Sequence, residues 1–275
     1  MEGGTMNTGK VSIIKFSDAE CINVDDVVTV EEPLEIYIDN EPFYMTMRMP
    51  GDEILLALGI CFSDGIIDSM EDVAGVNYCS DVSLNKINVY LSPTVNKEDR
   101  LKQKQRRSTS YSSCGICGAD MIEGITNNKG RIKQRITMDA SDISGMQKVM
   151  QQNQIVFPVT GGTHAAGIFS ADRELLSFSE DVGRHNALDK SIGKLLFSRN
   201  IRKAAVVVLT SRLSFEMVQK AARLGAEIIC GVSSPTSLAI ELAKTVNLTL
   251  IGFMRGNRGN IYTCPERIIT NANCR

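Results

Sequence analysis

No uninterrupted apolar run in this chain is long enough to cross a bilayer. The longest, Ala204–Leu209 (AAVVVL), has the length of a buried strand. The first residues, MEGGTMNTGK, lack the apolar stretch of a secretory signal, so the expectation is a cytoplasmic protein without membrane contact. An excess of charge is also missing: 30 Lys and Arg face 32 Asp and Glu, a net charge of −2, which gives no reason to expect nucleic acid as a partner. Any recognition of anions must therefore be local. Internal repeats are absent, histidine is limited to His164 and His185, and the one CxxC pair has no second copy.

What is present is a chain of 275 residues that is 43% hydrophobic, enough for one large domain or two smaller ones. The first part alternates strand and turn signals. Val11–Phe16 and Val27–Ile38 are rich in β-branched residues, and the turn Asp39-Asn40-Glu41-Pro42 leads into FYMTMRM as a hairpin. Asp52 stands where an N-cap would open a helix over EILLALGICFSDG, ending near Gly65. Another strand is expected at 86–91. Residues 92–118 begin polar and basic, include KQKQRR, and read as a mobile segment running into SSCGICG. From about residue 141 short apolar strands alternate with helices: RHNALDKSIGKLLF, Ser214–Leu224 and PTSLAIELAKTV read as helices, and AAVVVLT, AEIICGV and LTLIGFM as strands. That alternation implies a layered sheet with helices on its faces. The expected organisation is an α+β region over 1–140, carrying the CxxC segment, and an α/β domain over 141–275.

Eight cysteines stand at 21, 61, 79, 114, 117, 230, 264 and 274. Cys61 and Cys230 lie in apolar surroundings and read as core residues. Cys114 and Cys117 alone have a spacing that chemistry uses. A tetrahedral zinc site would need two further ligands, and only two histidines exist to supply them. Dithiol redox chemistry of the thioredoxin kind expects a helix straight after the pair, and GADMIEGITNNKG breaks too soon for one. Sulfur carriage needs an accessible, deprotonatable thiol on a segment that can visit two places, and Gly115 and Gly118 beside the pair suit that.

Both histidines lie beside glycines at expected strand ends, in TGGTHAAGIF and EDVGRHNALDK. A helix start at Arg184–His185 offers backbone N–H groups to an anion, and Arg184 adds charge. Arg212 and Ser233 follow two buried strands, at the edge where open α/β sheets bind ligands. The last strand runs into GFMRGNRGN, with two arginines among glycines; it reads as a phosphate or guanine cradle, or more simply as a hairpin turn with exposed arginines.

The stretches EEPLEIYIDNEPFYMTMRMPGDEILLALGICFSDGII, SSCGICG, TGGTHAAGIF, EDVGRHNALDKSIG, SRLSFEMVQKAARLGAEIICGVSSPTSLAIELA and TLIGFMRGNRGNIYT resemble, in this order, the formate dehydrogenase accessory sulfurtransferases (FdhD/NarQ type). The resemblance covers about residues 28–263. It implies a cytidine-deaminase-like α/β domain joined to a smaller N-terminal α+β region. It also implies a sulfurtransferase that takes sulfur from a cysteine desulfurase. The sulfur passes to the molybdenum cofactor, a bis-molybdopterin guanine dinucleotide, for the catalytic subunit of formate dehydrogenase. Cys114 would carry the persulfide, with Cys117 as second thiol. Phe253, Met254, Arg255, Gly256, Asn257 and Arg258 match the cofactor-binding stretch, and a guanine nucleotide would occupy the same site. His164, Arg184, His185, Arg212 and Ser233 are the remaining expected contacts. No resident metal is expected; a homodimer is. True deaminases bind zinc through H-x-E and P-C-x-x-C. This chain has RHNA and SSPTS in comparable positions, which argues against hydrolytic deamination. The alternatives are a non-catalytic cofactor-binding chaperone and a zinc-binding deaminase-like protein.

Overall fold

The structure is a computed structural model and describes residues 7–18, 20–79, 85–101 and 130–270. The CxxC pair and most of the basic segment before it lie outside the described residues, as does Cys274.

An antiparallel ribbon, β1 (Thr8–Phe16) with β2 (Cys21–Thr29), comes first. The expected single strand over 27–38 is in fact two strands. The chain leaves the ribbon at Val30–Glu31 and enters β3 (Glu32–Ile38) of another sheet. No β-branched residue stands between Val30 and Ile36, and Glu31-Glu32-Pro33 marks the break, a signal that the single-strand reading passed over.

β3 turns at Asp39 and Asn40 into β4 (Glu41–Arg48). Both turn residues have positive φ, 48° and 68°, the left-handed backbone of a tight hairpin turn. Helix α1 (Glu53–Asp64) follows, then β5 (Val73–Cys79) and β6 (Lys86–Leu91), giving a four-stranded sheet of order β4-β3-β6-β5. Asp52 precedes α1 as expected, but it is itself left-handed and its side chain makes no cap. Its carboxylate pairs instead with Lys194 at 2.7 Å. Gly65 closes the helix with φ 83°.

The second sheet is built from β8 (His164–Phe169), β9 (Leu175–Asp181), β10 (Val206–Leu209), β11 (Ile228–Gly231), β12 (Thr249–Arg255) and β13 (Arg258–Thr263), in the order β13-β12-β11-β10-β8-β9. A small parallel pair, β7 (Met138–Asp139) with β14 (Ile268–Ile269), stands apart from it. β10, β11 and β12 are parallel; β8, β9 and β13 run against their neighbours. Strand alternation places Val207, Leu209, Ile229 and Leu250 in one apolar cluster and Val206, Val208, Ile228 and Ile251 in another. The second cluster is covered by α2 (Ala140–Gln152), through Ile143, Met146 and Met150. A short helix, α3 (Phe157–Thr160), leads from α2 into β8. The first cluster lies under α4 (Arg184–Phe197), α5 (Phe215–Leu224) and α6 (Ser237–Val246), and it includes α1 and the inner face of the four-stranded sheet. The two regions expected from the sequence therefore share one core.

α1 and α4 make the closest helix contact. A Cβ on Gly59 would fall 1.9 Å from the carbonyl oxygen of Asp189, and one on Gly193 would fall 1.9 Å from that of Leu55. Two glycines, one per helix, let the backbones meet. Among the described residues no helix is long and apolar enough to cross a membrane. The described start of the basic segment is tied down: Lys97 pairs with Asp39 and Glu41, and Arg100 with Asp68.

Candidate functional site

Topology gathers the expected contacts on one sheet edge. β8 runs antiparallel to β10, so His164, at the start of β8, stands at the edge where β10, β11 and β12 end. Asp181 closes β9 opposite His164, and α4 starts three residues later. The polar loops after the strands are laced together. Thr210 Oγ1 accepts from the Ala165 N–H at 2.8 Å, Leu213 donates its N–H to the Ser234 carbonyl at 3.1 Å, and Phe253 donates to the Ser233 carbonyl at 3.1 Å.

At this edge lies a pocket of about 410 Å³. Its apolar lining is Phe157, Val182 and Val232; its polar lining is Gln151, Gln154, Thr163, His164 and Thr210, with Gly161 and Gly162 completing one wall. None of these ten carries a fixed charge. His164 is half-buried. Burial, and then the nearby charges of Arg184 and His185, hold its pKa below the usual histidine value, so it is a neutral hydrogen-bonding group at pH 7.

No side chain caps the start of α4, where Gly183 is the N-cap. His185 Nε2 lies 3.9 Å from Glu216 Oε2, an ion-pair distance too long for a hydrogen bond. Buried side-chain atoms without a hydrogen-bond partner include Arg184 Nε and His185 Nε2. The Glu216 carboxyl is held down to about 2, first by the His185 imidazole and then by the Ser214 hydroxyl and its own N–H.

The arginine-bearing stretch is the turn between β12 and β13. Arg255 pairs with Arg258 across it, Gly256 takes φ 55°, and both arginines and Asn257 are exposed. Phe253 is 45% exposed with φ 55°, whereas the Met254 side chain is buried in the core beneath α2. Arg212 is exposed and Ser233 half-buried. The structure thus brings His164, Arg184, His185, Arg212, Ser233 and the Phe253–Arg258 stretch to one edge, with His164 alone of these lining the pocket. Cys114 and Cys117 lie outside the described residues. Among the described residues, no group of three His, Cys, Asp or Glu side chains could hold a metal ion.

Sequence reasoning missed Gln151, Gln154 and Phe157. Gln151 is in the last turn of α2, Gln154 in the link after it and Phe157 at the start of α3, and the signal that marks them is faint: amides at a helix end, followed by Ile155, Phe157 and Val159, which are all exposed apolar residues.

A family model described as the FdhD/NarQ family matches residues 29–269. The chain belongs to that family. It is 41% identical over 268 residues to a protein of Sulfurisphaera tokodaii named sulfur carrier protein FdhD, covering 96% of this chain and all of the relative. A protein of the same name from Streptomyces coelicolor is 35% identical, covering 96% and 97%. A crystal structure from Desulfotalea psychrophila, described as a candidate formate dehydrogenase accessory protein, superposes with a TM-score of 0.76 at 26% identity, covering 95% of this chain and 99% of that one. The match to the FdhD/NarQ model takes in the whole sheet edge and the CxxC pair, and leaves out the β1–β2 ribbon up to Val28.

Proposed function

We propose that this protein is a cytoplasmic sulfurtransferase that carries sulfur as a persulfide on Cys114, with Cys117 as second thiol. The Cys114 thiolate attacks the outer sulfur of a cysteine desulfurase persulfide. A new S–S bond forms, and the desulfurase cysteine leaves as a thiolate. On delivery the Cys114–sulfur bond breaks, Cys114 leaves as a thiolate, and the acceptor supplies the electron pair that binds the sulfur. The acceptor in this reading is the molybdenum cofactor, a bis-molybdopterin guanine dinucleotide destined for the catalytic subunit of formate dehydrogenase.

One observation carries this reading: a ligand-sized pocket with uncharged walls stands on the same sheet edge as an exposed arginine turn, in a chain whose relatives are named sulfur carriers. Uncharged walls with Phe157, His164 and two glutamines suit a planar heterocycle such as guanine or a pterin. Arg255 and Arg258 suit its phosphates. Among the described cysteines, Cys61 and Cys230 are buried, and burial pushes Cys230 up to about 12, which leaves them unsuited to carriage; Cys21 and Cys79 are exposed but lack a second thiol at CxxC spacing. We assign the C-terminal half to the cytidine-deaminase-like class without its zinc chemistry, and the assembly to a homodimer.

The test is persulfide loading. Protein incubated with a cysteine desulfurase and cysteine should gain one sulfur on the peptide containing Cys114, read by mass spectrometry. Cys21→Ser and Cys79→Ser should load normally, and Cys114→Ala should not. Loading that survives Cys114→Ala refutes the reading. Cofactor binding and dehydrogenase maturation that survive Cys114→Ala with Cys117→Ala would replace it with a chaperone.

A further inference from the structure

Glu180 and Asp181 are consecutive residues at the end of β9, and both are buried, with 6% and 0% of their surface exposed. Strand alternation points them to opposite faces of the sheet. Glu180 faces the chain that enters β8. Its Oε2 accepts the N–H groups of Ile155 and Val156 at 2.7 and 3.0 Å, and its Oε1 accepts the Phe157 N–H at 3.0 Å and the Thr163 hydroxyl at 2.9 Å. Asp181 faces α4. Its Oδ1 accepts from the Gly183 N–H at 2.9 Å and Asn186 Nδ2 at 3.2 Å, and its Oδ2 from the Met49 N–H at 3.2 Å and Lys190 Nζ at 2.8 Å.

A carboxylate offers about four acceptor sites, and each of these two fills four. Neither has capacity left for a ligand. All eight partners are donors, so a carboxamide in either place would turn its NH₂ against N–H or O–H groups. The partners are also sorted. Those of Glu180 belong to the 155–163 wall of the pocket, which carries Phe157, Thr163 and, next in sequence, His164. Those of Asp181 are Gly183, Asn186 and Lys190 along the first half of α4, whose first turn carries Arg184 and His185, and Met49, which the chain reaches just after β4; none of them lines the pocket.

We infer that Glu180 and Asp181 are positioning residues with separate tasks: Glu180 sets the 155–163 wall of the pocket, and Asp181 sets the start of α4, with His185, on the face where His164 stands opposite it. This rests on the proposed function only in taking the pocket as the place where the nucleotide end of the cofactor binds. The two carboxylates act through the groups they hold, Glu180 on the pocket wall and Asp181 on the helix beside it.

The chain has two histidines, so their imidazole NMR signals are assignable with one substitution each. Wild type, Glu180→Gln and Asp181→Asn are compared by those signals, by amide exchange and by binding of guanosine diphosphate in calorimetry. Glu180→Gln should speed amide exchange at Ile155, Val156 and Phe157, leave the His185 signal in place, and weaken binding about tenfold, the size found for hydrogen-bonded supports of ligand-contacting groups. Asp181→Asn should shift the His185 signal and that of His164, which stands opposite it. A folded Glu180→Gln protein with amide exchange and affinity unchanged, or with His185 shifted, overturns the inference. So does a folded Asp181→Asn protein with both histidines unmoved. Where either variant fails to fold, Thr163→Val and Asn186→Ala each delete one donor to the same carboxylates and are read in the same way. Wild type that does not bind guanosine diphosphate defeats the cofactor reading of the pocket, while amide exchange and the histidine signals still decide the positioning roles.

Discussion

The Gly59–Gly193 contact carries the sharpest test of how this fold supports its site, because α4 presents Arg184 and His185 from its first turn. In Gly59→Ala the new methyl would sit 1.9 Å from the Asp189 carbonyl oxygen, whereas ordinary contact begins at 3.4 Å. The obstacle is backbone, so no rotamer change relieves it, and α1 must retreat from α4 by about 1.5 Å. α1 has 12 residues, a length of about 18 Å, and helices in contact share a strip about 8 Å wide. The gap is then on the order of 200 Å³, and at roughly 24 cal/mol per Å³ it costs about 5 kcal/mol. Alanine returns about 1 kcal/mol of helix propensity, leaving a loss of about 4 kcal/mol. Gly145 is the internal control, since it lies within α2 and a Cβ there meets nothing within 4 Å. Gly145→Ala should gain up to about 1 kcal/mol. Urea unfolding of the two variants should therefore show midpoints displaced in opposite directions. Gly59→Ala within 1 kcal/mol of wild type would refute the packing argument. Gly59→Ala combined with Gly193→Ala should cost less than the sum, because helices already parted by one methyl have room for the second.

Three further outcomes follow from buried and exposed groups. Lys220→Met should cost about 3–5 kcal/mol at pH 7, because it strands the Asp189 carboxylate, buried beside Ser63 and 2.5 Å from Lys220 Nζ. Burial already holds Asp189 above its ordinary value of 3.8, against the pull of Lys220 and Ser63. An acid raised in the folded state adds stability below its unfolded pKa and loses it as pH climbs through the folded value, so the deficit of Lys220→Met should shrink as pH falls towards 4, read by urea titrations across pH. His185→Ala should bring the Glu216 carboxyl from about 2 back towards 4.5, read by carboxyl NMR; the stability Glu216 adds above pH 4.5, lost as pH falls towards 2, shrinks with it. Alkylation of the folded protein at pH 8 should modify Cys21 and Cys79 but spare Cys61 and Cys230 until unfolding, as peptide mapping would show.

Much of the second sheet was legible from local pattern. Ala204–Leu209 is apolar at every position, as a strand covered on both faces must be, and it contains β10. RHNALDKSIGKLLF coincides with α4. What local pattern could not show was partnership. Val27–Ile38 reads as one strand rich in β-branched residues, yet its halves, parted at Glu31-Glu32-Pro33, belong to different sheets, a division set by which strands they meet. Asp52 has the chemistry of a cap, but its left-handed backbone and Lys194 draw its carboxylate elsewhere. The histidines stood out because glycines flank them at strand ends. Gln151, Gln154 and Phe157 did not, because their place depends on α2 crossing the opposite face of the sheet. Glu180 and Asp181 read from sequence as one polar strand end; only the folded chain shows each one saturated with donors.

In the proposed function, pocket and arginine turn divide the work of holding a nucleotide, and guanosine against guanosine diphosphate separates them. Phe157 lines the pocket, so Phe157→Ala should weaken both ligands alike, by about tenfold if the lost ring contact is worth ~1.4 kcal/mol. Arg255 and Arg258 are exposed, and an ion pair at such a position is worth at most ~1 kcal/mol. The double change Arg255→Ala with Arg258→Ala should therefore weaken guanosine diphosphate by about tenfold and leave guanosine unchanged. Being solvent-exposed, that difference should fade as salt rises from 0.05 M to 0.5 M, while the Phe157 effect should not. Equal losses for both ligands on removing the arginines would mean that the turn supports the fold rather than the phosphates. A Phe157→Ala loss confined to guanosine diphosphate would place the ring outside the pocket.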